Sequence, residues 1–384
     1  MDNLALELID QIIDQMDPHA RKALSLVSHV FVAPVQRRIF KLLKLSDKNG
    51  VANLKHLSLI LSNNPGLGGF VRTLFIGVKL EDPETYVALI RVLRLVNAVN
   101  RVTISGHWYW PHWPRDLQQA LITTITLPSL RYIALRGVGV PAAFIRYAVA
   151  SYTEVALQAS YIDSNRKIKL PAGGRGQFLE SLALHYALDN SPNFHTLMLS
   201  DEVAASLARL RRLEIISSQE GPLNPFKEII SKYSDSLQHV TIASNPLGFA
   251  LPRLSHLHSL TMLTRLYEAS REPTALIPAA PILRFISSLP SCTPALQLLT
   301  LKFDVIRDDR WLGIWNEGGA DTTVDEALLQ LSDLRKVHFD LWFFRRFGND
   351  CVSDMREKLP RASQAGVLSF SRRPISWEYD GAFR

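Results

Sequence analysis

Cysteine is the scarcest residue type in this sequence of 384 residues, which contains Cys292 and Cys351 and no other. The two are far apart and lack CxxC spacing, so the sequence predicts neither a disulfide framework nor a zinc site. No apolar run approaches the roughly 18 residues that a membrane-spanning helix needs. Acidic residues replace the basic region of a secretory or transit peptide at the N-terminus. These absences predict a cytoplasmic or nuclear protein with no membrane partner.

Catalytic motifs are missing as well. The glycine-rich segments 66–69 and 173–176 match neither the dinucleotide-binding pattern nor the P-loop. No G-x-S-x-G elbow occurs, so an esterase-type nucleophile has no local support. We therefore expect no cofactor, no metal and no enzyme activity. An enzyme with a dispersed active site is the alternative that one sequence excludes least well.

The charge is moderately basic. The formal net charge of +7 favours acidic partners, but the basic residues are spread along the chain rather than clustered. We therefore expect no nucleic-acid partner.

Residues 4–43 carry the pattern of three short amphipathic helices. The first helix has an apolar stripe formed by Leu8, Ile9, Ile12, Ile13 and Met16. Asp17 can cap the second helix, and Pro18 suits its first turn, where a missing N–H loses no bond. Leu24, Val27 and Phe31 then share a face. We expect Pro34 to open the third helix, with a stripe of Val35, Ile39, Leu42 and Leu43.

Three such helices have more apolar surface than they can bury among themselves, so some of it should contact another protein or the rest of the chain. The segment resembles an F-box, the helical module that attaches substrate receptors to the Skp-family adaptor of cullin–RING ubiquitin ligases. The matching residues are Leu4, Leu6 to Ile9, Ile12, Ile13, Leu24 to Ser28 and Phe31. Their spacing is most similar to F-box proteins of mushroom-forming fungi.

Two residues depart from the F-box pattern. Ala5 stands where the family usually has proline, and Phe31 stands where it usually has tryptophan. The resemblance implies adaptor contacts from Leu4, Leu8, Ile9, Ile12, Val27 and Phe31. The alternative is a helical cap on the following domain with no adaptor.

From residue 50 onward one phrase recurs: an apolar residue, two others, an apolar residue, one other, and a third apolar residue. The copies begin at Leu54, Val71, Val99, Leu130, Tyr152, Leu179, Phe194, Leu210, Leu237, Leu257, Leu296 and Leu334. Turn-forming residues precede several copies, and the stretches 85–96, 226–233, 282–289 and 325–331 are helix-like. Short strand, turn and helix in repeating order resemble a leucine-rich-repeat array.

The sequence thus predicts an α/β protein with two parts. A three-helix F-box-like module, residues 1–45, precedes an irregular leucine-rich-repeat-like solenoid with a curved parallel sheet, residues 50–384. The copies are unevenly spaced and lack an asparagine ladder. A doubly wound α/β sheet is the alternative fold.

Side chains alternate along a strand, so the residues between the apolar positions should face the concave surface. The predicted partner-binding residues are Arg101, Tyr132, Arg136, Arg212, His239, Lys302, Lys336 and His338, with Glu154, Glu214 and Asp340 as acidic members. We expect this face to take an acidic or phosphorylated protein segment. The alternative is a solvated face whose charges only maintain solubility.

The aromatic segment from His107 to Pro114 predicts either a projecting loop that contacts a partner or a bulky loop folded onto its own helix layer. Taken together, the features favour a non-enzymatic substrate-recognition subunit of a cullin–RING ubiquitin ligase, with a Skp-family adaptor, the cullin ligase and an unidentified protein substrate as partners. A repeat scaffold without any link to the ligase is the alternative.

Overall fold

The structure is a computed structural model that describes residues 6–46, 50–77, 83–163, 168, 170–171, 178–185, 192–217, 224–243, 250–265, 279–305, 321–343 and 351–374. Its contacts divide the chain into two compact units, residues 1–177 and 178–384. The predicted boundary near residue 45 lies inside the first unit.

The first unit begins with helices and continues as alternating helices and parallel strands. Its helices are α1 Leu6–Gln15, α2 Pro18–Val27, α3 His29–Phe40, α4 Gly50–Asn63, α5 Pro83–Leu95, α6 Arg115–Ile125 and α7 Ala142–Ser151, with 3-10 turns at Pro65–Phe70 and Trp110–His112. Its strands are β1 Leu42–Ser46, β2 Thr73–Gly77, β3 Arg101–Tyr109, β4 Tyr132–Pro141, β5 Glu154–Gln158 and β6 Tyr161–Asp163. Strands β1 to β5 lie side by side in sequence order, and β6 pairs with the end of β4.

The second unit repeats this arrangement. Its helices are α8 Pro192–Leu199, α9 Asp201–Leu207, α10 Asn224–Lys232, α11 Ala279–Cys292, α12 Asp321–Gln330, α13 Cys351–Lys358 and α14 Pro360–Gln364. Its strands are β7 Ser181–His185, β8 Arg212–Ile216, β9 His239–Ala243, β10 Ser259–Arg265, β11 Leu298–Val305, β12 Lys336–Phe343 and β13 Leu368–Pro374. Strands β7 to β13 also pair in sequence order, all parallel.

The sheet is covered on one face. Along β2, β5 and β7 buried residues alternate with partly exposed ones. Strands that follow one another without reversal, joined by right-handed crossovers, place their helices on one face. A doubly wound sheet needs helices on both faces and a reversal of strand order. The described strands of each unit pair in sequence order, without such a reversal. The predicted α/β class with a parallel, repeat-ordered sheet is therefore confirmed, and the doubly wound alternative is wrong. We call the uncovered side the open face.

A repeated pair of backbone hydrogen bonds joins successive copies. The carbonyl of Arg72 accepts from the N–H of Asn100 at 2.8 Å and from that of Arg101 at 3.0 Å. The same double acceptance occurs at Lys41, Asn100, Arg131, Glu180, Arg211, Gln238, His258 and Gln297. The two residues between the first and second apolar positions therefore satisfy their amides by stacking alone. Their side chains remain available for other contacts.

Two of the predicted strands are helices. The copies at Leu54 and Phe194 lie in α4 and α8. Leu54, Ser58 and Leu61 are the buried residues in α4, and Phe194, Leu197 and Met198 are those of α8. Buried residues three and four positions apart are typical of a helix, so the predicted strands at Leu54 and Phe194 are wrong. Strands β1, β6 and β13 were not predicted.

The boundaries of the N-terminal helices also differ from the prediction. The second helix ends at Val27, so Phe31 belongs to α3. Pro34 was predicted to open the third helix but lies inside α3. Because proline has no N–H, it removes one intrahelical hydrogen bond there. Leu42 and Leu43 start β1 instead of extending the third helix. The predicted cap is confirmed, because the Asp17 carboxylate accepts from the N–H groups of His19 and Ala20.

Candidate functional sites

The helices α1 to α3 form a small core of their own. Ile9, Ile13, Phe31 and Val35 are buried together, and Leu24 and Val30 pack against them. The exposed fractions of Ile9 and Phe31 are 2% and 6%. These two side chains were predicted to contact an adaptor, and that part of the prediction is corrected here. They hold the helices together and are not available to a partner.

Polar contacts fix the three helices to one another. Arg38 of α3 forms a two-pronged ion pair with Asp14 of α1, with N–O distances of 2.6 and 2.9 Å. The Arg38 guanidinium lowers the pKa of the Asp14 carboxyl. Arg21 of α2 donates to the carbonyl of Ile13 at 2.9 Å. The module therefore has a defined shape before any partner binds.

Large apolar side chains of α1 and α2 remain exposed. Leu8 and Ile12, one helical turn apart, are 48% and 42% exposed, and Val27 at the end of α2 is 76% exposed. Leu26, which matches the F-box pattern but is not among the predicted adaptor contacts, is 88% exposed. Leu4 lies outside the described residues. The large apolar side chains of α1 and α2 that are exposed to a partner are therefore Leu8, Ile12, Leu26 and Val27, and we call these four residues together the apolar surface.

Helix α3 faces the rest of the first unit. Pro34 is buried, and the guanidinium of Arg37 lies 5.8 Å from the centre of the Phe70 ring. Contacts join α3 to the 3-10 turn at Pro65–Phe70 and to β1. One helix thus attaches the module to the repeats, while α1 and α2 keep the apolar surface.

The open face of the first unit has a neutralised arginine. Register places Arg101 beside Tyr132 and Tyr132 beside Glu154. The Arg101 guanidinium stacks 4.0 Å from the centre of the Tyr132 ring and lies 3.7 Å from the Glu154 carboxylate. Arg136 lies four positions after Tyr132 along β4, next to Ser105 and Gln158. The structure therefore brings the predicted Arg101, Tyr132 and Arg136 onto one face.

The open face of the second unit begins with a cationic group. Arg212 is the register partner of His239, and His258 directly precedes Ser259, the next partner of His239. Partial burial and the nearby charges of Arg212 and His258 lower the pKa of His239. None of these three side chains has a hydrogen bond or ion pair with another described residue. His258 was missed because it stands before the strand, outside the alternation.

Acidic charge on this face is compensated. The Glu214 carboxylate lies 3.0 Å from His185 Nε2. The hydrogen bond from His185, with the charges of His185 and Lys302, lowers the pKa of Glu214. Lys336 and Lys302 lie further along the sheet, on β12 and β11, with Lys302 aligned with Asp340. The Arg212 end therefore keeps a positive balance.

A hydrogen-bond network around His338 joins β12 and β13, the last two strands of the described sheet. His338 Nδ1 lies 2.9 Å from Ser369 Oγ, and its Nε2 lies 3.2 Å from Ser371 Oγ. Ser371 in turn donates to the buried carboxylate of Asp340. In a serine-hydrolase triad the carboxylate orients the histidine, which takes the proton of the serine. Here the carboxylate holds the serine directly, so the arrangement cross-links β12 and β13 and lacks the geometry of a nucleophile.

The aromatic segment is folded onto the first unit. Trp110 and Trp113 are buried, and the Trp110 ring lies 5.0 Å from Trp113 and 5.8 Å from Phe144. Gln118 donates to the carbonyls of Trp110 and Trp113. The side chains of His107 and Trp108 lie outside the described residues. For these two tryptophans the folded-loop alternative is confirmed.

Within the described ranges, no three His, Cys, Asp or Glu side chains are grouped as a metal would need, and no helix is long and apolar enough to cross a membrane. The glycine-rich segment 173–176 lies outside those ranges. Comparison with protein-family models and with curated proteins found no match to this chain.

Proposed function

We propose that this protein is a substrate-recognition subunit of a cullin–RING ubiquitin ligase. The helices α1 and α2 bind a Skp-family adaptor through the apolar surface, and the open face of the repeats binds a protein substrate. The apolar surface is the observation that carries the proposal. The module has its own buried core, yet Leu8 and Ile12 of α1 and Leu26 and Val27 of α2 remain exposed to water. Such an arrangement suits a partner that covers them.

The protein's contribution to ubiquitin transfer is proximity. A bound substrate is held near the ligase, so its lysines meet the ubiquitin-carrying enzyme at high effective concentration. No catalytic side chain is needed for this step. The open face supports substrate capture because arginine and imidazole groups are strong donors to carboxylate and phosphate. The proposal places the protein in the cytoplasm or nucleus, where cullin ligases act.

A repeat scaffold without a ligase is the second candidate. The observation that favours it is the attachment of α3, whose buried Pro34 and cation–ring contact between Arg37 and Phe70 are what a terminal cap needs. A cap alone, however, leaves Leu8 and Ile12 exposed without a reason.

Co-purification separates the two candidates. Tagged full-length chain is expressed with a Skp-family adaptor, and the adaptor is measured in the eluate. Leu8→Asp with Ile12→Asp places two charges on the apolar surface and should reduce recovery at least tenfold. Val87→Asp is the matched control, because Val87 of α5 is also exposed and apolar but lies outside the helical module. Recovery equal to background for the unaltered chain, or equal for both variants, excludes the adaptor surface.

A further inference from the structure

We call Arg212, His239 and His258 the cationic cluster. Their side chains have no hydrogen bond or ion pair with another described residue that would account for three basic groups at this place. The three residues come from β8, from β9 and from the turn just before β10, and neighbouring strands of a sheet lie about 4.8 Å apart. Partial burial, together with the like charges of Arg212 and His258, lowers the pKa of His239. Electrostatic repulsion among these groups in the free protein is expected at a site where a bound anion relieves it.

We propose that the cationic cluster binds the phosphate of a phosphorylated protein segment and binds it more tightly as the pH falls. This inference deepens the proposed substrate capture on the open face and rests on it. Arginine supplies a fixed charge and two parallel donors. Each imidazole adds a donor and, once protonated, a further charge. A tetrahedral dianion has enough oxygens for all three groups, whereas a single carboxylate is satisfied by the arginine alone.

The surroundings favour a single phosphate over a polyanion. The strand β7 contributes Ser181 beside Arg212, and the strand β10 contributes Ser259 beside His239. Two acidic residues stand close to the cluster among the described residues of β7 to β10 and the positions just before these strands. Glu180 is exposed and directly precedes Ser181, and its carbonyl accepts from the N–H of Arg212. Glu214 lies two positions along β8 and is already paired with His185. That carboxylate would repel the next phosphate of a nucleic acid. A peptide with one phosphate avoids it.

The pH dependence follows from proton linkage. An anion prefers the protonated forms of His239 and His258, and Arg212 stays charged throughout. Glu214 is ionised over the whole range of interest, because its pKa is lowered. Affinity for a dianion of constant charge therefore rises as the histidines gain protons, with the sign opposite to that of a carboxylate-based site.

Sulfate is the first probe, because its charge does not change between about pH 5.5 and pH 8 whereas that of phosphoserine does. Full-length chain with labelled histidine rings is titrated with sulfate at constant ionic strength, and ring signals are assigned by His239→Gln and His258→Gln. We expect saturable shifts of both signals and roughly tenfold tighter binding at the lower pH. Arg212→Gln should weaken binding about tenfold.

Lys227→Gln is the matched control, since it removes one exposed positive charge from α10 on the helix side. Unmoved histidine signals, equal affinity at both pH values, or equal weakening by Lys227→Gln would overturn the proposal. A second arm compares Gly-phosphoserine-Gly with Gly-Asp-Gly and with a single-stranded oligonucleotide. Stronger binding of the phosphopeptide supports the assignment, and stronger binding of either of the others contradicts it. The adaptor takes no part in these titrations, so the ligase proposal and this one can fail separately.

Discussion

Arg101 and Arg212 occupy the same position of the repeat in the two units, yet their surroundings differ. Each is the second residue after the first apolar residue of its copy, and each amide donates to the carbonyl of the previous copy. Arg101 lies over Tyr132 and near the Glu154 carboxylate. Arg212 has His239 as its neighbour and His258 nearby.

The comparison shows what a repeat determines and what it leaves open. Stacking fixes the backbone and the buried side of each strand, and it places the third residue of every copy on the open face. Whether that residue is structural or available to a ligand depends on the side chain one strand away. A tyrosine followed by a glutamate neutralises the arginine, whereas histidines leave its charge in place.

The largest expected effect tests what the two units share, the burial of the third apolar residue of each copy. Leu135 and Leu184 are both 1% exposed and fill equivalent third apolar positions in the two units. Leu135→Ala and Leu184→Ala should each lower the free energy of unfolding by about 2–5 kcal/mol, because each leaves a cavity under the sheet. Denaturant unfolding measures both. A loss below about 1 kcal/mol in either variant would contradict equal burial of the two units.

The next effect tests what differs between the two units, the contacts of Arg101 and of Arg212. Arg101→Gln should lower the free energy of unfolding by about 1 kcal/mol, since it removes a stacked cation and a half-exposed ion pair. Arg212→Gln should leave stability unchanged within about 0.5 kcal/mol. Denaturant unfolding of the two variants at the same pH gives the difference. An equal loss in both would mean that Arg212 is structural and would end the comparison.

The smallest effect is the acid response of the cationic cluster. The pKa of His239 is lower in the folded chain than its ordinary value, so the unfolded chain takes up this proton first as the pH falls. Acid therefore favours unfolding through His239, and His239→Gln should reduce the fall in melting temperature between about pH 7 and pH 5. His56→Gln, an exposed position of α4, is the control. Identical pH profiles for the two variants would exclude this contribution.

Much of the sheet could be predicted because its strands have a short and distinctive apolar pattern. The copies at Val71 and Leu130, for example, each have three residues that the fold buries. The pattern failed at Leu54 and Phe194, where the same triplet lies within a helix. The buried Leu61 and Met198, seven and four residues on, are the signal that distinguishes the two.

The candidate sites were harder to predict. The apolar stripe of the first helix could be predicted from its spacing, but which of its residues face inward could not, because that depends on how α3 packs across α1. Ile9 and Ile12 look alike in the sequence, and only Ile9 is buried. The cationic cluster depends on strand register, which brings His258 next to a histidine 19 residues earlier in the chain. Alternation along one strand does not reveal such neighbours.

The account depends most on the apolar surface being a binding surface. Hydrogen exchange of the full-length chain, measured with and without a purified Skp-family adaptor, tests this directly. We predict slower exchange in α1, Leu6–Gln15, and at the end of α2, with no change on the open face. Exchange unaltered by saturating adaptor, or slowed on the open face alone, would contradict the account.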